Sequence, residues 1–217
     1  MTRFLYVVRH GNADPHDGPL SQVGERQAQL TGQRLKDVPF RGIYHGPLPR
    51  AAQTAGVIAA SLPGVPVIAC DLAGDYLPFA PDPGDVPPAF ASFVAGFSAA
   101  ERTEGPKVAA AALKRFARAD GEQGTGEQGT GEQGAGQQQD TCELLVTHNF
   151  LIGWLVSQAM GAPPWRWLGL NQMNCALTVI AYQPGLPASL ISFNDAGHLP
   201  PELRWTGFPA TLRPASG

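Results

Sequence analysis

Phe4-Leu5-Tyr6-Val7-Val8-Arg9-His10-Gly11 is an apolar run that stops on an arginine, a histidine and a glycine. Its valines and aromatics make Phe4 to Val8 read as a buried strand. The polar groups that follow belong at the rim of a sheet, where Gly11 lets the backbone turn sharply. Arg9 sets a fixed cation beside the His10 imidazole. That neighbour disfavours protonation and leaves the ring neutral and nucleophilic, while the guanidinium can grip an oxyanion. A solvated Arg-His pair at a strand end would use the same tripeptide, so the assignment depends on what else reaches that rim.

The pattern recurs late in the chain. Cys142-Glu143-Leu144-Leu145-Val146 reads as a strand ending in Thr147-His148-Asn149. Leu151, Ile152, Leu155, Val156 and Ala159 then recur at helical spacing, with Asn149 as the N-cap. Between the two strands, Asn12 to Pro19 is a polar loop, and Ser21 caps a helix to about Lys36. A short strand at Gly42 to Tyr44 leads through His45-Gly46-Pro47-Leu48-Pro49-Arg50 into a helix from Pro49 to about Leu62. Val65 to Ala69 reads as a third strand. Strand, helix, strand, helix, strand predicts parallel pairing with right-handed crossovers.

Residues 71–106, rich in proline with scattered aromatics and one short helix at about 89–97, read as an insertion at the sheet rim. A helix over 107–119 follows. The repeated Gly-Glu-Gln-Gly-Thr unit offers nothing large enough to bury, so about 120–140 reads as a disordered loop. Trp165 and Trp167 read as core, and Leu177 to Tyr182 with Ala188 to Phe193 complete the sheet. The expected whole is one α/β domain over 1–217, a three-layer α/β/α sandwich with a mostly parallel central sheet.

A net charge of −3 with 15% charged residues argues against a protein that binds nucleic acid or a membrane surface through bulk charge. Arginine far outnumbers lysine, which leaves room for a local positive pocket. The apolar stretch before Arg9 is too short for a signal peptide, and no run is long enough to span a bilayer. Cys70, Cys142 and Cys175 are few and widely spaced, which reads as buried thiols in a reducing cytoplasm. No residue pattern assigns an oligomeric state.

His10 and His148 each end a strand, and Arg50 opens the helix after another. In an open parallel sheet these are all the carboxyl edge, where such folds hold ligands. Two helix N-termini, at Pro49 and Asn149, aim free amides at the same place and favour an anion. Phosphate is the obvious compact dianion. Asn12 and Asn149 are candidate rim residues, and His198, just beyond the last strand, could reach the pocket mouth. A zinc site from His10, His45, His148 and His198 lacks metal-ligand spacing, so neither metal nor other cofactor is expected.

Arg9-His10-Gly11, Leu20 to Ala28, Pro47 to Ala55 and Val146-Thr147-His148 resemble the motifs of the histidine phosphatase superfamily, the phosphoglycerate-mutase-like fold. The resemblance implies His10 as nucleophile, with Arg9, Arg50 and His148 as the phosphate pocket. Such an enzyme would be a metal-independent phosphomonoesterase working through a phosphohistidine. Arg9, Arg50 and a protonated His148 would stabilise charge on the equatorial oxygens. The expected partner is a small-molecule phosphomonoester, with neither nucleic acid nor membrane. Ala13 and His16 stand where the family's mutases carry serine and asparagine, which weakens a phosphoglycerate-type mutase reading. Gly46 replaces a common serine and Asn149 a common glycine. The family's Leu-x-Glu acid motif is here Leu72-Ala73-Gly74, which suggests an inert phosphate-binding or interaction module as a further alternative. Asp75 is the nearest replacement acid, ahead of Asp71, Asp14 and Asp17.

Overall fold

The computed structural model describes residues 1–15, 18–119 and 140–215. The repeat read as a disordered loop falls in 120–139, outside the described residues, as do His16 and Asp17. Among the described residues six strands form one sheet: β1 (Arg3–Arg9), β2 (Phe40–His45), β3 (Val67–Ala69), β4 (Thr141–Thr147), β5 (Leu177–Tyr182) and β6 (Ser189–Asp195). Their order is β3-β2-β4-β1-β5-β6. β3, β2, β4 and β1 pair in parallel, and β5 and β6 are added antiparallel.

The strand period of two sorts side chains into two cores. Leu5, Val7, Leu145 and Ile180 face one cluster, while Val8, Leu144, Val146, Leu177 and Val179 face the other. Helices α1 (Gln22–Leu35) and α2 (Pro49–Ala59) close the second cluster through Ala28, Leu35, Ala51, Ala55 and Ile58. Helices α4 (Ala99–Phe116) and α5 (Asn149–Ala159) close the first through Ala109, Ala112, Phe116, Leu151, Ile152 and Leu155. The result is the three-layer α/β/α arrangement. Among the described residues no helix is long and apolar enough to cross a membrane.

Two local expectations change. α4 begins at Ala99 rather than Lys107 and runs through Pro106, so it takes up the last part of the 71–106 segment. Its start is fixed by a capping box, Ser98 accepting from the Glu101 backbone and Glu101 accepting from Ser98. A mid-helix proline costs about 3 kcal/mol in lost bonding and steric clash. The buried face from Gly105 to Phe116 offsets that cost. The short α3 (Pro88–Ala95) precedes it. In α5 the cap position is His148, not Asn149, because the Asn149 side chain accepts the Gln172 backbone N–H at 2.8 Å instead.

α4 crosses the rim segment so closely that a Cβ on Gly105 would lie 2.2 Å from the Leu77 carbonyl oxygen. Alanine ordinarily improves a helix interior over glycine by about 1 kcal/mol. Gly105→Ala is expected to do the reverse and lower the free energy of urea unfolding. A gain would show that α4 stands farther from Leu77.

Candidate active site

The carboxyl ends of β1, β4 and β2 lie side by side, and the chain stays zipped beyond them. His10 donates its backbone N–H to Thr147 at 2.9 Å, and Gly46 donates to Val146 at 3.2 Å. The Arg9 and His10 carbonyls accept from Cys175 N–H at 3.0 Å and Asn174 Nδ2 at 2.8 Å. Gly11 donates to Thr54 Oγ1 at 2.9 Å, and that hydroxyl donates to the Arg50 carbonyl at 2.6 Å. The backbone around His10 is therefore tied to β4, to α2 and to the segment after α5.

Arg50 belongs to the buried stripe of α2, one turn before Thr54. Its Nε donates to His10 Nε2 at 3.2 Å, and its second nitrogen bonds Asp75 at 3.0 Å. The His10 and His148 rings are 5.0 Å apart. Asp75 Oδ2 is 3.5 Å from His148 Nδ1. Arg9 donates to the carbonyls of Gln172 and Gly207, while its Nε is buried with no hydrogen-bond partner among the described residues. Arg9, His10, Arg50, Asp75, Asn149 and Phe150 line a cavity of about 210 Å³, with Asn171 and Gly207 at its wall.

Asp75 reaches the site because the Ala73 carbonyl is drawn into the sheet edge. It accepts from Thr147 Oγ1 at 2.7 Å and packs against Gly46, where a Cβ would sit 2.3 Å from it. A serine at position 46 would collide with this backbone. Gly46 is thus the counterpart of the turn that carries Asp75.

Burial is the main cause of the site's titration behaviour. Desolvation, then Arg9 and His148, lower the His10 pKa to about 2. Desolvation, then Arg50 and Arg9, lower His148 to about 3. Arg9 itself is lowered to about 10, by desolvation first. Both imidazoles are neutral in the empty site, so the protonated His148 expected during phosphoryl transfer would have to gain its proton with the substrate. His10 Nδ1 lies 2.8 Å from the Gly11 carbonyl, which accepts the ring proton and leaves the lone pair on Nε2.

The helix ends divide in the same way. α1 and α4 are capped by Ser21 and Ser98. The cap positions of α2, α3 and α5, Leu48, Pro87 and His148, make no side-chain cap bond. The start of α5 carries Asn149 at the cavity, and a helix N-terminus there favours an anion. α2 starts on Pro49, which has no N–H, and its Ala51 N–H bonds the Leu48 carbonyl at 2.9 Å, so it contributes the Arg50 side chain instead.

Two rim expectations are corrected. Asn12 Oδ1 accepts from Ser21 Oγ at 2.8 Å, and its backbone N–H bonds Gln27, so it anchors the start of α1 and does not line the cavity. His198 lies 3.0 Å from Thr31 Oγ1 on α1 and is likewise absent from the cavity wall. Asn149 does line it. Asp71 opens a short 3₁₀ turn, Asp71–Ala73, and neither Asp71 nor Asp14 lines the cavity. Sequence reasoning missed Thr54, Asn174, Asn171, Phe150 and Gly207. Only Thr54, four residues after Arg50 on one helix face, had a spacing that could have revealed it. Among the described residues no group of three or more His, Cys, Asp or Glu could hold a metal ion.

The pattern of the histidine phosphatase superfamily (branch 1) matches residues 5–72 and 130–195. The serine/threonine-protein phosphatase Pgam5, mitochondrial, of Caenorhabditis elegans is 30% identical over 209 residues, covering 92% of this chain and 65% of that protein. The Rattus norvegicus PGAM5 protein is 29% identical over 208 residues, covering 93% and 65%. The chain thus spans about 65% of the length of these relatives. Their mitochondrial names overturn the cytoplasmic placement expected above: few cysteines indicate a reducing compartment without saying which. Mycobacterial glucosyl-3-phosphoglycerate phosphatase superposes with a TM-score of 0.63 at 20% identity, covering 90% of this chain and all of that one. A Plasmodium falciparum phosphoglycerate mutase gives 0.58 at 19%, covering 92% and 95%. The fold is phosphoglycerate-mutase-like.

The two depressed histidines set a pH dependence. In the unfolded chain each titrates near 6.5, and in the folded protein at about 2 and about 3. As pH falls below 6.5 the unfolded chain takes up the protons first. The rings' contribution to stability is therefore full above about pH 7 and is lost as pH falls to about 3 for His148 and about 2 for His10. At about 1.4 kcal/mol per pH unit for each ring, the pair accounts for roughly 4 kcal/mol between pH 7.5 and pH 5. Urea unfolding at the two pH values should show that loss, and a His10→Gln/His148→Gln double variant should lack most of it. Equal slopes for the two proteins would assign ordinary titration to both rings.

Proposed function

The chain belongs to the histidine phosphatase superfamily, and from that premise we propose that it hydrolyses phosphomonoesters by way of a phosphohistidine on His10. The observation that best supports this is the neutral His10 ring, its proton on Nδ1 and its lone pair on Nε2, buried beside two guanidiniums. Nε2 attacks phosphorus, forming the N–P bond as the P–O bond to the alcohol breaks. Water then attacks the phosphohistidine and releases inorganic phosphate. Arg9, with a buried Nε lacking a partner among the described residues, and Arg50 balance the charge on the equatorial oxygens. The N-terminus of α5 adds its amides. His148 supplies a neutral donor that gains a proton only once a dianion offsets the two arginines.

Asp75 is the proposed general acid. In the empty site Arg50 holds its carboxylate. An arriving phosphate dianion competes for Arg50 and sets like charge beside Asp75, which favours its protonation. The proton then passes to the departing alcohol oxygen, and the carboxylate serves as base toward water. With charge supplied by guanidiniums and amides, turnover should be unaffected by a chelator.

The names of the relatives favour phosphate carried on serine or threonine of a protein. A small-molecule phosphomonoester is the second reading, favoured by the small catalytic cavity.

A phosphorylated substrate should label the enzyme with an acid-labile, alkali-stable phosphate that is absent from His10→Ala. Labelling of that variant would remove His10 from the role. Asp75→Asn should slow phosphorylation by alkyl phosphates roughly 10²–10⁴-fold, and by p-nitrophenyl phosphate much less, since that leaving group needs little protonation. Equal losses for both would eliminate Asp75 as the acid.

A further inference from the structure

Asp75 lines a second cavity as well, of about 320 Å³. Its wall is mainly apolar, formed by Tyr76 and Leu77 on the rim segment and by Ala100, Gly105 and Val108 on α4. The charged side chains along it are Asp75, Glu101 and Glu104. Each is already engaged: Asp75 with Arg50, Glu101 with the Ser98 cap, and Glu104 with Lys107 at 2.8 Å. Tyr76 is held by its hydroxyl on the Leu72 carbonyl at 2.7 Å, so this wall is fixed to the turn that presents Asp75.

Transfer to His10 expels the alcohol from the face of phosphorus opposite Nε2. If Asp75 protonates that oxygen, the carbon chain of the alcohol continues past Asp75, toward the apolar groove. Consecutive residues of a peptide are about 3.8 Å apart, so a side chain next to the phosphorylated one can lie beside Asp75 while its phosphate rests on Arg50. We propose that this groove is a specificity subsite for a phosphopeptide, receiving an apolar side chain adjacent to the phosphoserine or phosphothreonine. The proposal rests on the phosphomonoesterase reading and names its substrate class.

Magnitudes separate the apolar wall from the acids. Partial burial of a leucine is worth about tenfold in binding, whereas the acids, exposed or already paired, are worth at most about fivefold toward a basic residue. Apolar recognition therefore dominates.

The test compares kcat/KM for phosphoserine peptides that carry leucine, serine, aspartate or arginine on either side of the phosphoserine. The wild-type protein should prefer leucine over serine about tenfold, and leucine over arginine as well. Val108→Asp should bring the leucine-to-serine ratio close to one. Ala100→Glu changes an exposed residue in the first turn of α4, where an acid suits the helix, and should also compress the ratio. Because each ratio is taken within one protein, a general loss of activity does not affect it. A wild-type ratio near one, or a ratio unchanged in both variants, overturns the subsite. A preference seen only among small apolar phosphate esters overturns the peptide assignment. Failure of the wild type to hydrolyse any peptide or p-nitrophenyl phosphate would instead sink the phosphomonoesterase reading, and the subsite with it.

Discussion

Two guanidiniums and two imidazoles are buried close together, and the rest of the structure follows from making that tolerable. Arg9 is 7% exposed, His10 4%, Arg50 2% and His148 1%. Four positive charges at that depth would be ruinous, since burying even one unpaired ion costs several kcal/mol. The histidines respond by staying neutral. The arginines cannot, so the fold brings acceptors to them: carbonyls at Gln172 and Gly207 for Arg9, and the Asp75 carboxylate for Arg50. Among the described residues the remaining donors, Arg9 Nε and the N-terminus of α5, favour an anion.

Distant parts of the chain are therefore recruited to one point. Gln27 on α1 links the loop after β1 to the C-terminal tail, accepting from Asn12 and donating to Leu203 and Thr206. Thr206 accepts from Asn174, which in turn holds the His10 carbonyl. Placement of a reacting atom to within about half an ångström needs this kind of support. Here it comes from backbone groups and small polar side chains whose own positions are fixed by burial.

What could be read in advance follows from how local each signal is. The strand ends at His10 and His148 are local, because an apolar run stops on a polar residue, and Arg50 follows from a proline-led helix start. The extent of α4 was hidden because Pro106 reads as a stop, while the capping box that starts the helix lies well before it. Asn12 and His198 looked like rim residues from their distance to a strand end. Their hydrogen bonds to Ser21 and Thr31 depend on where α1 packs, which no neighbouring residue encodes. Asn174 and Gly207 enter through a tail with no periodicity. The glycine at position 46, where a serine is common in the family, is a steric requirement set by the Ala73 carbonyl, which no neighbouring residue encodes.

The Arg50–Asp75 pair has a consequence for turnover. On the proposed mechanism, a phosphate that enters competes with an internal carboxylate for Arg50, and the carboxylate returns as phosphate leaves. Asp75 is one-third exposed, so the pair is worth about 1 kcal/mol, equivalent to roughly fivefold in affinity. That handicap falls most heavily on free inorganic phosphate, which brings no other contacts. An ester brings the binding energy of its alcohol and can absorb the loss. On that mechanism Asp75 is a tethered competitor against product inhibition, set at the point where the product would otherwise linger.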